Sequence, residues 1–211
     1  LETALTNTIN LLDLRKPYSK EFYASIEEAE KCIQEEIYEK MGGWDEVVAT
    51  CIGHTHIDVA WLWTIDQVRQ KSCRSFATVL KLMEEYPNYH FMSSQPKLYS
   101  FVKERHPEVY EKIRQRVKEG RWEPDGGMFV EADCNIASGE ALVRQFVHGQ
   151  RFFKEEFGVD SKMLWLPDTF GYSAVLPQLL ASCGVKYLVT QKIFWSYNEG
   201  DPFPYHYFNW K

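Results

Sequence analysis

The sequence predicts an α/β protein built on a mainly parallel sheet, and three observations carry that expectation. From Trp44 onward, short apolar runs alternate with amphipathic helical stretches, the signature of successive βα units. Each candidate strand runs straight into a polar or glycine-rich loop at its carboxyl end, where sites of α/β proteins lie. The 211 residues, 45% hydrophobic and 15% aromatic, supply one sizeable core.

Taken in order, residues 1–45 read as a helical lead-in or linker. Ser25 with Glu28 makes a capping box, and Ile26, Ala29, Ile33 and Ile37 form a stripe that stops at Gly42-Gly43. Five strands follow in residues 46–211: Val47–Gly53, His90–Ser94, Arg121–Glu123, Met163–Leu166 and Lys186–Thr190. Between them, Phe76, Val79, Leu80 and Met83 share one helical face. A second helix opens at Pro107 and closes at Gly120 with Val109, Ile113 and Val117 inward. A third runs from Ser138 to Phe157, with Leu142, Phe146, Phe153 and Phe157 as a core stripe and Gly158 as its left-handed stop.

The loops at the strand ends concentrate the chemistry. After the first strand, Gly53-His54-Thr55-His56-Ile57-Asp58 offers three ligands at a spacing of two. Extended backbone would turn all three toward one point and Thr55 and Ile57 away. Imidazole nitrogen plus carboxylate oxygen suits zinc or a similar divalent ion. Strand-end histidines can equally cap backbone groups or sit satisfied in a core. The second strand leads to Gln95, and the third to Glu123, Asp125, the Gly126-Gly127 loop, Glu131 and Asp133. The fourth leads to Asp168 in Leu166-Pro167-Asp168-Thr169-Phe170-Gly171-Tyr172-Ser173, with Ser173 placed to cap a helix, and the fifth to Gln191 and Lys192. Alone, Asp168 could be a turn aspartate bonding its own backbone; Glu131, Asp133 and Gln95 are equally plausible as sugar contacts or as loop-fixing hydrogen bonds.

Composition sets bounds on partners. The net charge of −6 is spread along the chain with no basic stripe to track a phosphate backbone, which argues against nucleic acid. No apolar run is long enough to cross a bilayer, so no membrane partner is expected. Five scattered cysteines, an odd number, fit reduced thiols better than a disulfide framework. With no secretory segment in view, the expected compartment is cytoplasmic.

Together, the His-x-His-x-Asp run ending in Ala60-Trp61, the Gly126-Gly127 loop, the Glu140-to-Gln150 segment and the Leu166-to-Ser173 run resemble glycoside hydrolase family 38, the class II α-mannosidases, and its cytosolic-type branch in particular. The resemblance covers roughly residues 48–211. It implies an irregular (β/α)7 barrel of the glycoside hydrolase/deacetylase type, incomplete in this chain. It also implies one divalent ion, usually zinc, with cobalt or manganese as alternatives. By matching positions, His56, Asp58 and Asp168 are the implied metal ligands and Asp168 also the nucleophile, with His54 behind the ligands. Trp61, Phe170 and Lys192 are the implied sugar contacts. The implied reaction is retaining hydrolysis of terminal α-mannosyl residues from oligosaccharides; homo-oligomerisation stays open.

The chain stops at Pro202–Lys211 without the sign of a domain ending, and the expectation is a truncated barrel. In the family, a Gly-x-Asp-Gly-type segment carrying the acid/base follows this stretch, and a further histidine ligand comes later. The isolated piece is therefore expected to lack turnover and to expose a sheet edge. His206 falls in the aromatic stretch, which favours a structural role. Two other readings compete: a metal-dependent carbohydrate deacetylase on a related barrel, and a non-catalytic sugar-binding fragment.

Overall fold

The computed structural model describes residues 2–40, 48–195 and 203–210. The chain divides into two compact units, Leu1–Thr50 and Cys51–Lys211. In the first, α1 (Glu2–Leu11) precedes α2 (Lys20–Ile33), which continues into a π-helical turn over Gln34–Glu39. The cap of α2 is Ser19, whose Oγ accepts from the Phe22 amide, and this corrects the Ser25/Glu28 expectation. Ser25 sits inside the helix, buried, where its hydroxyl donates to the Phe22 carbonyl and accepts from the Asp13 amide at 2.9 Å. The hydroxyl thus serves the connecting loop instead of the helix end. Of the predicted stripe, Ala29 and Ile37 are buried while Ile26 is exposed. The Gly42-Gly43 stop, the change of pattern at Trp44 and Val47 lie outside the described residues.

Among the described residues, the second unit is α/β, with five short parallel strands. β1 (Gly53–His54) pairs with β2 (Phe91–Ser93), β2 pairs with β3 (Trp122–Pro124), and β4 (Met163–Leu166) pairs with β5 (Tyr187–Thr190). Every pair is parallel. A parallel bridge from Gly126 to Leu164 joins the two pieces in the order β1-β2-β3-β4-β5, and the Trp165 amide donates to the Gly126 carbonyl. Gly126 has φ 153° and a side chain there would meet Ser94 Cβ at 2.6 Å, so the joint needs glycine.

The predicted Val47–Gly53 strand shrinks to Gly53–His54. β2, its ladder neighbour, is three residues long and pairs only Gly53 with Phe91 and His54 with Met92, leaving Val48 86% exposed. The other four strands fall within a residue of their predicted bounds.

Helices cover the sheet. α3 (Ile65–Glu85) starts with a full capping box from Thr64 and Gln67. α4 (Pro96–Arg105) and α5 (Pro107–Lys118) both open on proline, which supplies a helical φ and needs no partner for an N–H. α6 (Gly139–Phe157) is capped by Ser138 and ends at Gly158 with φ 73°. α7 (Leu176–Ser182) lacks the expected Ser173 cap. Val175 occupies the cap position, and Pro177 in the first turn removes one of the amides a cap would serve.

Two clusters make the core of this unit. One gathers Phe76, Leu98, Tyr99, Ile113, Trp122 and Phe153 from α3, α4, α5, β3 and α6. At its centre Trp122 Nε1 donates to the Tyr99 hydroxyl, which donates to the Ser93 carbonyl, so both polar tips are satisfied and burial holds the Tyr99 phenol far above its usual range. The other packs Leu142 and Phe146 of α6 against Leu164 and Leu166 of β4 and Leu176 and Leu180 of α7. Burial of each large side chain contributes roughly 1.5–3 kcal/mol.

Candidate metal centre

The loops after β1 and β4 bring His56, Asp58 and Asp168 together, with one candidate ligand atom from each lying within 4.8 Å of the other two. His56 Nε2 is 3.1 Å from Asp58 Oδ1 and 3.5 Å from Asp168 Oδ2. The outer atom of each residue is held from behind. Trp63 Nε1 donates to Asp58 Oδ2 at 3.2 Å, Lys192 Nζ lies 3.3 Å from Asp168 Oδ1, and His56 Nδ1 lies 2.9 Å from Glu131 Oε2. One imidazole nitrogen and two carboxylate oxygens facing a common point, each fixed by its other polar atom, fit a divalent cation.

Electrostatics agree. Burial pushes the His56 imidazole toward its neutral form, but the carboxylates of Glu131 and Asp58 overcome this and hold its pKa up to about 9. Three carboxylates, from Asp58, Glu131 and Asp168, thus surround one imidazole, a concentration of negative charge that a cation would offset.

His54 behaves differently from the alternation argument. The strand ends at His54, so the spacing-of-two geometry does not continue through the motif. Its Nδ1 bonds the Met92 carbonyl at 3.0 Å and its Nε2 accepts from Trp165 Nε1 at 3.1 Å, which commits both ring nitrogens. Its ring also packs edge-on against Trp165. Ile57 turns into the core, 2% exposed, away from His56 and Asp58 on either side of it.

Trp61 and Phe170, the two expected sugar-facing aromatics, are 73% and 51% exposed beside the ligands in sequence. Trp61 has φ 69° and meets Trp63 edge-on, and Phe170 meets Trp195 in the same way. Lys192, beyond β5, lies over the Trp195 ring as well as beside Asp168. Phe170 also lines a cavity of about 860 Å³ whose walls include Tyr172, Tyr205, Phe208 and Trp210.

Not every strand-end group joins. Glu123 lies within β3 and is exposed, Asp125 accepts from the Gly126 amide and the Ser161 hydroxyl, Asp133 accepts from the Asn135 and Ile136 amides, and Gln191 is exposed. His206 packs on the Phe194 ring, 5.1 Å between centroids, in keeping with a structural role. Glu131 and Gln95, left undecided by sequence, do join. Gln95 Nε2 donates to the Ile57 carbonyl and its Oε1 accepts from the Glu131 amide, while Glu131 Oε1 accepts from the Ser94 hydroxyl at 2.5 Å. Trp63 and Trp165 carried no signal in sequence, because an indole that bonds a carboxylate or a histidine is indistinguishable there from core.

The sequence model of the glycosyl hydrolases family 38 N-terminal domain matches residues 46–211. The chain is 45% identical over 170 residues to alpha-mannosidase 2C1 of Homo sapiens, covering 81% of this chain and 16% of that protein. It is 41% identical over 184 residues to alpha-mannosidase G of Dictyostelium discoideum, covering 86% and 17%. Among solved structures, an alpha-mannosidase from Enterococcus faecalis V583 superposes with a TM-score of 0.60 at 22% identity, over 66% of this chain and 16% of that one, a likeness of fold. The chain thus spans about a sixth of the length of the curated relatives it matches.

Proposed function

Because the chain belongs to glycosyl hydrolase family 38, we propose that it contributes the metal-binding and nucleophilic half of a retaining α-mannosidase site that acts on mannose-containing oligosaccharides. The observation that carries this reading is the convergence of His56 Nε2, Asp58 Oδ1 and Asp168 Oδ2 at the carboxyl ends of β1 and β4. His56, Asp58 and Asp168 would hold one divalent ion, zinc being our assignment. When bound, the ion would supply positive charge that binds the sugar's hydroxyl oxygens and holds the ring against Asp168.

Asp168 is the nucleophile. Its carboxylate attacks the anomeric carbon as the glycosidic C–O bond breaks, a second carboxyl group gives the leaving oxygen its proton, and water then cleaves the glycosyl ester with the same group acting as base. Asp168 Oδ2 faces the ligand group and Oδ1 faces Lys192, so its two oxygens can divide the two roles. Trp61 and Phe170 offer apolar faces to the sugar ring, and Lys192 orients Asp168 and reaches the substrate's hydroxyls.

The same reading takes residues 1–45 as a helical lead-in and residues 46–211 as the first part of an irregular (β/α)7 barrel, supported by five parallel strands in sequential order. A cytoplasmic setting is in keeping with five free thiols. The test is covalent trapping: a mannose-configured mechanism-based inactivator, applied to the full-length protein, should label the peptide containing Asp168. A metal-dependent deacetylase, which forms no glycosyl ester, would leave that peptide unlabelled while still cleaving acetylated sugars.

A further inference from the structure

We propose that Glu131 is the positioning residue of the metal centre: its carboxylate, in close contact with His56 Nδ1, favours the tautomer that keeps the proton on that nitrogen and leaves Nε2 free for the cation, and is itself fixed by Ser94 and Gln95. Glu131 is a side chain only 4% exposed on the loop between β3 and α6. Its Oε2 lies 2.9 Å from His56 Nδ1, a close contact that is not a straight hydrogen bond, and neither atom has a hydrogen-bond partner among the described residues. A carboxylate and an imidazole nitrogen left to one another in a buried site are strongly coupled, because desolvation leaves each no alternative.

The surroundings show that this placement is built. Ser94 donates to Glu131 Oε1, and Gln95 uses one end of its amide for the Glu131 amide and the other for the Ile57 carbonyl. Ile57 lies between the two ligands of the first loop. Gln95 is 3% exposed and adopts a left-handed conformation, φ 59°, that a non-glycine residue rarely takes. The end of β2 therefore clamps the ligand loop after β1 to the loop carrying Glu131. A histidine that binds metal through one nitrogen is oriented by an acceptor on the other, and a carboxylate there raises its donor strength.

The inference rests on the metal reading above, and the experiment separates the two. Zinc affinity of the full-length protein, measured by competition with a chromophoric chelator, is compared with Glu131→Ala and Glu131→Gln, alongside thermal melting of each metal-free protein. The expected result is a loss of zinc affinity of about 10- to 100-fold for Glu131→Ala. Glu131→Gln, which keeps an acceptor but not the charge, should fall between, and its near-identical shape keeps the test available if the alanine variant does not fold. Wild-type zinc affinity in either folded variant, with only the metal-free melting temperature lowered, overturns the clamp and leaves Glu131 a purely structural residue. Failure of the unsubstituted protein to bind zinc brings down the metal centre itself.

Discussion

His54 and His56 stand two residues apart in one motif, and what separates them is which ring nitrogens are already taken. Both nitrogens of His54 are committed, to the Met92 carbonyl and the Trp165 indole, whereas His56 keeps Nε2 toward two carboxylates. His54→Ala takes the acceptor from the half-buried Trp165 indole, so it should lower stability by about 1 kcal/mol with zinc affinity within a few-fold of the parent. His56→Ala should abolish tight zinc binding; denaturant melts and chelator competition read the effects on stability and on zinc apart. The grouping of His56, Asp58 and Asp168 was anticipated through two motifs and the family resemblance they carry, since spacing alone also aimed His54 at the same point and left Asp168 a possible turn residue. Glu131 was visible only as one of several loop carboxylates. Nothing local distinguishes it from Asp133, which spends its oxygen on the amides of its own turn, because the partner that matters is 75 residues away in the chain.

At the level of single elements, the decisive joint is where α6 meets the Gly126-Gly127 loop. A side chain at Gly149 would meet the Gly127 carbonyl oxygen at 2.3 Å and the backbone of Met128 at 2.6 Å, rigid atoms that cannot swing aside. Gly149→Ala should therefore cost on the order of 1–3 kcal/mol by overpacking, offset in part by about 1 kcal/mol gained from helix propensity. It should also weaken zinc binding by shifting the loop that leads to Glu131; thermal melting and metal titration together check this. Ser138→Ala, which removes only the α6 cap, should cost about 1 kcal/mol and leave zinc binding unchanged. Helices with strong stripes and stops, such as Ser138 to Gly158, were readable because periodicity and caps are local signals. The first strand was overread because an apolar run does not state how long its neighbour is. α4 went unseen because only two residues, Ser94 and Gln95, separate it from β2.

Across the whole of Cys51–Lys211, the proposed ligands come from loops more than a hundred residues apart in sequence, so an ion bound by His56, Asp58 and Asp168 would tie the β1 end of the strand order to the β4 end. Binding to the folded state alone adds stability by mass action, about 2.7 kcal/mol at a hundredfold excess over Kd. Chelation should therefore lower the melting temperature and zinc should restore it. Trp122→Ala, at the centre of the first cluster, should cost roughly 3–5 kcal/mol and lower the melting temperature with or without metal. The parallel α/β character of this unit was legible from alternating strands and helices, while the Gly126 bridge that joins the two sheet pieces was not, since a single backbone pairing leaves no periodic trace. The most direct test is to measure bound zinc and turnover of p-nitrophenyl α-mannoside for the full-length protein and its Asp168→Asn variant, after dialysis and re-addition of zinc. The expected result is one zinc per chain with zinc-dependent turnover, and a loss of about a thousandfold or more in the variant. Turnover that ignores zinc, or a variant within about tenfold of the parent, would contradict the assignment of Asp168 as both ligand and nucleophile.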